Sequence, residues 1–132
     1  MKAIDAILFD PVGVVVDQHG EMYEDAPPAL AELEALGVKL IAVPSVTEAE
    51  LTRAVTDAAL SADRVVCLTD TEQGLRAARA AGVNPILMMN DPDEAMRLTS
   101  LNPAGGIVSL HELPDFVRFI ATRFSDHVLK VK

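Results

Sequence analysis

Short apolar runs alternate along this chain with segments whose apolar residues recur at helical spacing, the pattern of a parallel α/β sheet. Ile4–Phe9 is the first run, closed by Asp10 and Pro11, and Gly13–Val16 continues it beyond a kink. Leu30, Leu33 and Leu36 give Ala29–Leu36 a helical period that Gly37 terminates. Val38–Val43 reads as a second strand broken by Pro44. Thr47 then opens a helix to about Leu60, with Glu50 at the capping-box spacing. Arg64–Leu68 is a third strand, Thr71–Ala81 an Ala-rich helix ending at Gly82, and Pro85–Met89 a fourth strand. Asp91–Leu98 predicts a short helix, Gly106–Ser109 a strand and Leu113–Phe124 a final helix. No linker, repeat or low-complexity stretch interrupts the alternation. Residues 1–125 therefore read as a single domain, and 126–132 as a tail that frays. The expected architecture is a three-layer α/β sandwich around a mostly parallel, five-stranded, Rossmann-like sheet. Its first strand is central, with the second on one side and the third on the other, an order that right-handed crossovers permit.

The length of 132 residues suits one domain with a proper core. A single cysteine excludes an internal disulfide and a cysteine-based zinc cage. The apolar runs are far shorter than the ~20 residues that span a bilayer. With no secretory leader pattern at the N-terminus, a cytoplasmic location is expected. Eleven Lys and Arg stand against twenty Asp and Glu, for a net charge of −9. Such a field repels phosphate backbones and anionic lipid, so neither nucleic acid nor membrane is an expected partner.

Ligands of open α/β sheets collect outside the carboxyl ends of the strands. Three of those ends carry polar groups: Asp10 after the first strand, Ser45 after the second, and Thr69, Asp70 and Thr71 after the third. Two carboxylates on one edge repel unless a cation lies between them, and Mg²⁺ takes one or two carboxylates plus waters and a phosphate. The competing structural reading is that Asp10 and Asp70 cap the elements that follow them. Their equivalent positions on neighbouring strands favour a site.

The segment from Ile7 to Asp17, ILFDPVGVVVD, resembles the first motif of the haloacid dehalogenase superfamily. Asp70–Gly82, DTEQGLRAARAAG, resembles its fourth motif in the β-phosphoglucomutase-like form, where a Gly replaces the second acid. Gly106–Leu113 is similar to the ending of such proteins, so the resemblance covers nearly the whole chain. It implies Asp10 as an aspartyl nucleophile and metal ligand, activated by Mg²⁺. It also implies Asp70 as the second metal carboxylate and the Val12 carbonyl as a third ligand. Backbone amides around Val12 and Gly13 would cradle the phosphoryl oxygens, joined by Ser45.

The sequence departs from that family at three points. The second acid of the first motif, the general acid/base, is Val12 here. The second motif's hydroxyl falls on Pro44, or on Ser45 if the register slips by one. No Lys lies between Lys39 and Lys130, so the third motif's cation is absent and the middle of the chain looks shortened. Arg53 and Arg64 are the nearest replacements. General acid catalysis is worth roughly 10²–10⁴-fold, and a charge-stabilising donor about 10²–10³. The segment Asp17–Pro27 is too short for a cap domain, leaving Gly20–Glu24 as a small flap.

Among other residues, His19 reads as a solvated flap residue rather than a substitute acid, and His111 and His127 as surface residues. Cys67 lies mid-strand, which points to a buried inert thiol. Met88 and Met89 end a strand as core. Arg76 and Arg79 form a solvated helix face, and Asp91, Asp93 and Glu94 suit a helix N-terminus. The expected function is a capless, phosphatase-related hydrolase of weak or lost turnover, acting on a phosphorylated small molecule or protein. The alternative is a non-catalytic interaction or dimerisation module, with the Val38–Val43 sheet edge as its homodimer surface.

Overall fold

The computed structural model describes residues 4–12, 14–17, 19–89, 92–101, 103–107, 110 and 112–118. Gly13, His111, His127, the tail 126–132 and the final helix beyond residue 118 lie outside the described residues. Five strands, β1 (Ala6–Phe9), β2 (Lys39–Ala42), β3 (Val65–Thr69), β4 (Asn84–Met88) and β5 (Gly105–Ile107), form one sheet in the order β2-β1-β3-β4-β5. Every pairing is parallel, which sharpens the expectation of a mostly parallel sheet. Helices α1 (Ala26–Ala35), α2 (Glu48–Asp57), α3 (Glu72–Ala81) and α4 (Pro92–Thr99) connect consecutive strands, and residues 112–118 form a further helix, α5.

Side chains on neighbouring strand positions go to opposite faces, and both faces are apolar. Ile7 and Phe9, with Val66, Leu68, Ile86 and Met88, pack in a cluster with Ala29 and Leu33 of α1 and with Leu113 and Val117 of α5. Ala6 and Leu8, with Val65 and Cys67, pack on the other side with Leu51 of α2 and Ala77 and Ala78 of α3. Leu87 joins that side through Leu75 of α3 and Leu98 of α4. These three layers follow directly from the apolar runs.

The direction of the crossovers reverses once. From β1 the chain goes to β2 through α1 on one face. From β2 it returns past β1 to β3, and α2 and α3 lie on the opposite face. The helices following β1 and β3 therefore leave these adjacent strands on opposite sides, which opens a crevice between their carboxyl ends.

Capping explains three of the helix ends, at Thr47, Thr71 and Gly82. Thr47 Oγ1 accepts from the Glu50 amide (3.2 Å), and Gly82 closes α3 at φ +78°, a left-handed conformation that glycine adopts without strain. Several boundaries differ from the sequence pattern by one to three residues, and two of the differences have a clear local cause. Helix α1 begins at Ala26 rather than Ala29, because Pro27 and Pro28 fall in its first turn, where no amide donor is required. Val14–Val16 do not continue β1. Their three amides converge on the Pro11 carbonyl (3.3, 2.8 and 2.9 Å) and turn the chain into a small hairpin flap. Asp17 Oδ1 holds that flap by accepting from the amides of His19 (2.8 Å) and Glu21 (3.0 Å). Val16 bridges to Met22 across it. This hairpin is all that separates β1 from α1, so no cap domain is inserted there.

Candidate functional site

The crevice at the β1/β3 switch is a cleft of about 240 Å³, lined by Asp10, Val12, Ser45, Thr69, Asp70 and Gln73, with Val14, Val46, Leu68 and Thr71 completing the wall. Register explains the convergence. Phe9 pairs with Leu68 in β3 and with Ala42 in β2, so Asp10 leaves the sheet level with Thr69 and Val43. The Val43 amide extends the ladder by donating to the Phe9 carbonyl (2.8 Å). Asp10 and Asp70 are both half-buried.

Each carboxylate was also open to a capping role, and the structure separates the two. The N-cap of α3 is Thr71, whose Oγ1 accepts from the Gly74 amide (3.0 Å), so Asp70 is not needed there. Asp10 does hold its own turn together, since its Oδ1 accepts from the Val12 amide (3.0 Å) and ties the chain just after β1. That bond aims the Val12 backbone at the carboxylate while the Val12 side chain stays 52 % exposed.

Glycine at position 74 has a packing reason. A Cβ there would stand 1.8 Å from Thr69 Oγ1 and 2.7 Å from Thr69 Cβ. Thr69 is the buried polar side chain at the floor of the cleft, and α3 can approach β3 closely enough to hold it only where no Cβ intervenes.

Ser45 lines the cleft, whereas Pro44 belongs to a neighbouring groove beside α2 with Ile41 and Arg53. Neither nearby arginine replaces the missing cation. Arg53 faces Glu50 (3.8 Å) along α2, and Arg64 precedes β3 at the amino end of the strand, away from the cleft. Among the described residues lining the cleft there is no Lys, Arg or His. His19 sits in the exposed flap turn outside that lining. Val14, Val46, Leu68 and Gln73 are the lining residues that the sequence analysis did not single out as site residues. Only the helical phase of Gln73 relative to Asp70 could have pointed to it.

Outside the cleft, Arg76 (3.1 Å) and Arg97 (2.6 Å) converge on Glu72 and tie α3 to α4. Their hydrogen bonds, Arg97 first and then Arg76, lower the Glu72 pKa below the usual glutamate value. Arg76 is thus a partner in an ion-pair network rather than simply solvated, and Arg79 donates to the Leu101 carbonyl (2.7 Å). Burial pushes the Cys67 thiol up to about 12. The neutral thiol is the inert form. Ellman's reagent at pH 8 should therefore find no reactive thiol in the folded protein and one equivalent after denaturation; rapid reaction in the native state would refute burial. The same shift carries a sign for stability. A thiol that ionises near 8.5 when unfolded but about 12 when folded favours the native state below pH 8.5, and that contribution is lost as pH rises towards 12.

The donors available to a metal are the Asp10 and Asp70 carboxylates and neighbouring backbone oxygens. No group of three or more His, Cys, Asp or Glu side chains suited to a metal occurs among the described residues. A sparse, all-oxygen set fits a hard cation that keeps several waters, such as Mg²⁺, and not zinc.

No family model matches the sequence, and no curated protein is similar to it. Similarity to solved structures is extensive. A conserved haloacid dehalogenase-like protein of Agrobacterium tumefaciens superposes with a TM-score of 0.65 at 15 % identity, over 89 % of this chain and 99 % of that one. A putative β-phosphoglucomutase of Bacteroides vulgatus gives 0.72 at 10 % identity, over 85 % and 86 %. The 3-deoxy-D-manno-octulosonate 8-phosphate phosphatase of Moraxella catarrhalis, solved with magnesium, phosphate and KDO, gives 0.69 at 12 % identity, over 99 % and 95 %. The chain has the haloacid dehalogenase-like fold.

Proposed function

We propose that this chain, built on the haloacid dehalogenase-like fold, is a magnesium-dependent phosphoryl-transfer hydrolase of restricted turnover, with Asp10 as its nucleophile. The observation that supports this reading is the placement of Asp10 and Asp70 in one cleft at the β1/β3 switch point. Asp10 attacks phosphorus with one carboxylate oxygen, and Asp70 would share a bound cation with it. Mg²⁺ held by Asp10 and Asp70, with the Val12 carbonyl, would supply the positive charge that neutralises both carboxylates and the phosphoryl oxygens. Ser45 is the side-chain donor for those oxygens, since the Val12 amide is given to Asp10 Oδ1 and those of Val14–Val16 to the Pro11 carbonyl. The Val12 side chain has no ionisable proton, so it gives a leaving group no general-acid help.

A second reading is a non-catalytic fold that serves as an interaction module. Two features favour it: the cleft lining has no cationic side chain among the described residues, and β2 is a half-exposed edge strand. Thermal stability with Mg²⁺ and beryllium fluoride, an aspartyl-phosphate mimic, separates the two. Saturation at about 100 Kd stabilises a folded site by about 2.7 kcal/mol, several degrees in Tm. The wild type should show this shift and Asp10→Asn should lose it. The carboxamide oxygen of the variant still accepts from the Val12 amide, so the turn survives the change. Equal melting of wild type with and without the mimic would leave the interaction module standing.

A further inference from the structure

Strand β2 lies at one edge of the sheet and pairs only with β1. Lys39 and Val43 give their amides to the carbonyls of Asp5 and Phe9 (3.0 and 2.8 Å). Backbone groups alternate in direction along a strand, so Leu40 and Ala42 turn theirs to the open side. A groove of about 330 Å³ runs between β2 and α2, with Ile41, Val43, Pro44 and Ala54 as its apolar wall and Glu50 and Asp57 beside them. An outward row of donors and acceptors next to an apolar groove is what an added strand needs.

The described chain ends on the way to this edge. Helix α5 follows β5, yet its Val117 packs in the cluster that holds Ala29 and Leu33 of α1, and Arg118 reaches Glu32 in the last turn of α1 (3.1 Å). That helix leads directly into β2. Residues 119–132 follow Arg118, and the helical pattern to Phe124 leaves eight of them, which span about 26 Å when extended. Val128, Leu129 and Val131 give the last seven residues a strand-like composition, and two of the chain's four lysines, Lys130 and Lys132, lie among them. The handedness also agrees. Helix α1 carries the chain from β1 outward to β2 over one face. Helix α5 lies on that same face, so a parallel strand outside β2 closes a crossover of the same hand, as parallel sheets require. A terminus frays where nothing lies beside it, and this one has an open edge within reach. We propose that the β2 edge and its groove take this chain's own residues 126–132 as a sixth, parallel strand. Leu129 and Val131, two positions apart, face the groove, and Lys130 and Lys132 guard the new outer edge against further pairing. A second copy suits the edge less well, because it would bring together two chains of net charge −9. The surface that the interaction-module reading offers to a partner is then closed from within.

Hydrogen exchange on the full chain, read amide by amide by NMR, tests this without reference to any activity. In the wild type the Leu40 and Ala42 amides should exchange at least about tenfold more slowly than in a double variant carrying Leu129→Asp and Val131→Asp. Both proteins should sediment as monomers. The amides of Ile7 and Cys67, in the central strands β1 and β3, should be equally protected in both, which shows that the fold is unchanged. Fast exchange at Leu40 and Ala42 in the wild type would mean that the edge is open, and the proposal falls. It falls equally if the double variant keeps the slow exchange, or if the wild type sediments as a dimer, which gives the edge to a second copy. None of these results bears on the phosphoryl-transfer reading, which the beryllium fluoride shift tests separately.

Discussion

Val12→Asp should raise hydrolysis of an alkyl phosphate by roughly 10²–10⁴-fold, the usual worth of a positioned general acid. The substitution is tolerable because the Val12 side chain is half-exposed and lines the cleft, so a carboxyl group there is not forced into the core. The contact that sets the turn, Val12 amide to Asp10 Oδ1 at 3.0 Å, is made by backbone and survives the change. A third carboxyl beside Asp10 and Asp70 is disfavoured in its charged form, which holds it protonated nearer neutral pH, as an acid catalyst requires. The gain should appear with 2-phenylethyl phosphate and be small with benzoyl phosphate, whose leaving group needs no proton. Steady-state kinetics on both compounds check it. An equal gain on both would mean that residue 12 acts on something other than the leaving group.

Gly74→Ala should destabilise the protein by about 1–3 kcal/mol, although alanine is the better helix former by about 1 kcal/mol. The sign is decided by space. The new Cβ would stand 1.8 Å from Thr69 Oγ1 and 2.7 Å from Thr69 Cβ, so turning the hydroxyl aside leaves the clash with Cβ in place. Helix α3 must move off β3, and Thr71 and Asp70, which lead into that helix, move with it. Urea unfolding should show the loss, and the Mg²⁺–beryllium fluoride shift should weaken in the same variant. Thr69→Ala in the same chain removes the nearest clashing atom but leaves Cβ at 2.7 Å, so it should restore stability only in part. A Gly74→Ala variant as stable as wild type would show that the close approach is not what glycine provides here.

Much of the architecture was legible because each apolar run lies between two helical layers. The order of β2, β1 and β3 was expected from the family resemblance and is one that right-handed crossovers permit, and Thr47 and Gly82 marked helix ends by their own chemistry. Val14–Val16 were misleading for the same reason that the strands were clear. Three valines read as strand, yet three amides sharing one carbonyl made them a turn. Arg53 and Arg64 looked like nearby cations because sequence distance does not say at which end of a strand a side chain emerges. Gly74 read as the mark of a motif, and its cause, a threonine five positions earlier, needed the helix packed on the strand. The placement of Asp10 and Asp70 at one cleft rested on strand order, which the resemblance implied and the apolar pattern alone did not. The half-exposed face of Val12 rested on the flap hairpin, which neither supplied.

The pairing of β1 with β3 joins Ala6 to Val65, a wider separation along the chain than any other pair of neighbouring strands in this sheet. Contacts of such range carry the largest loop-closure cost and tend to form late in folding. Asp10 and Asp70 are contributed by those two strands, so neither half of the chain can assemble the cleft by itself. Occupancy of the cleft thereby reports on completed assembly: a nascent or nicked chain would be silent to the ligand until its two distant segments had found each other.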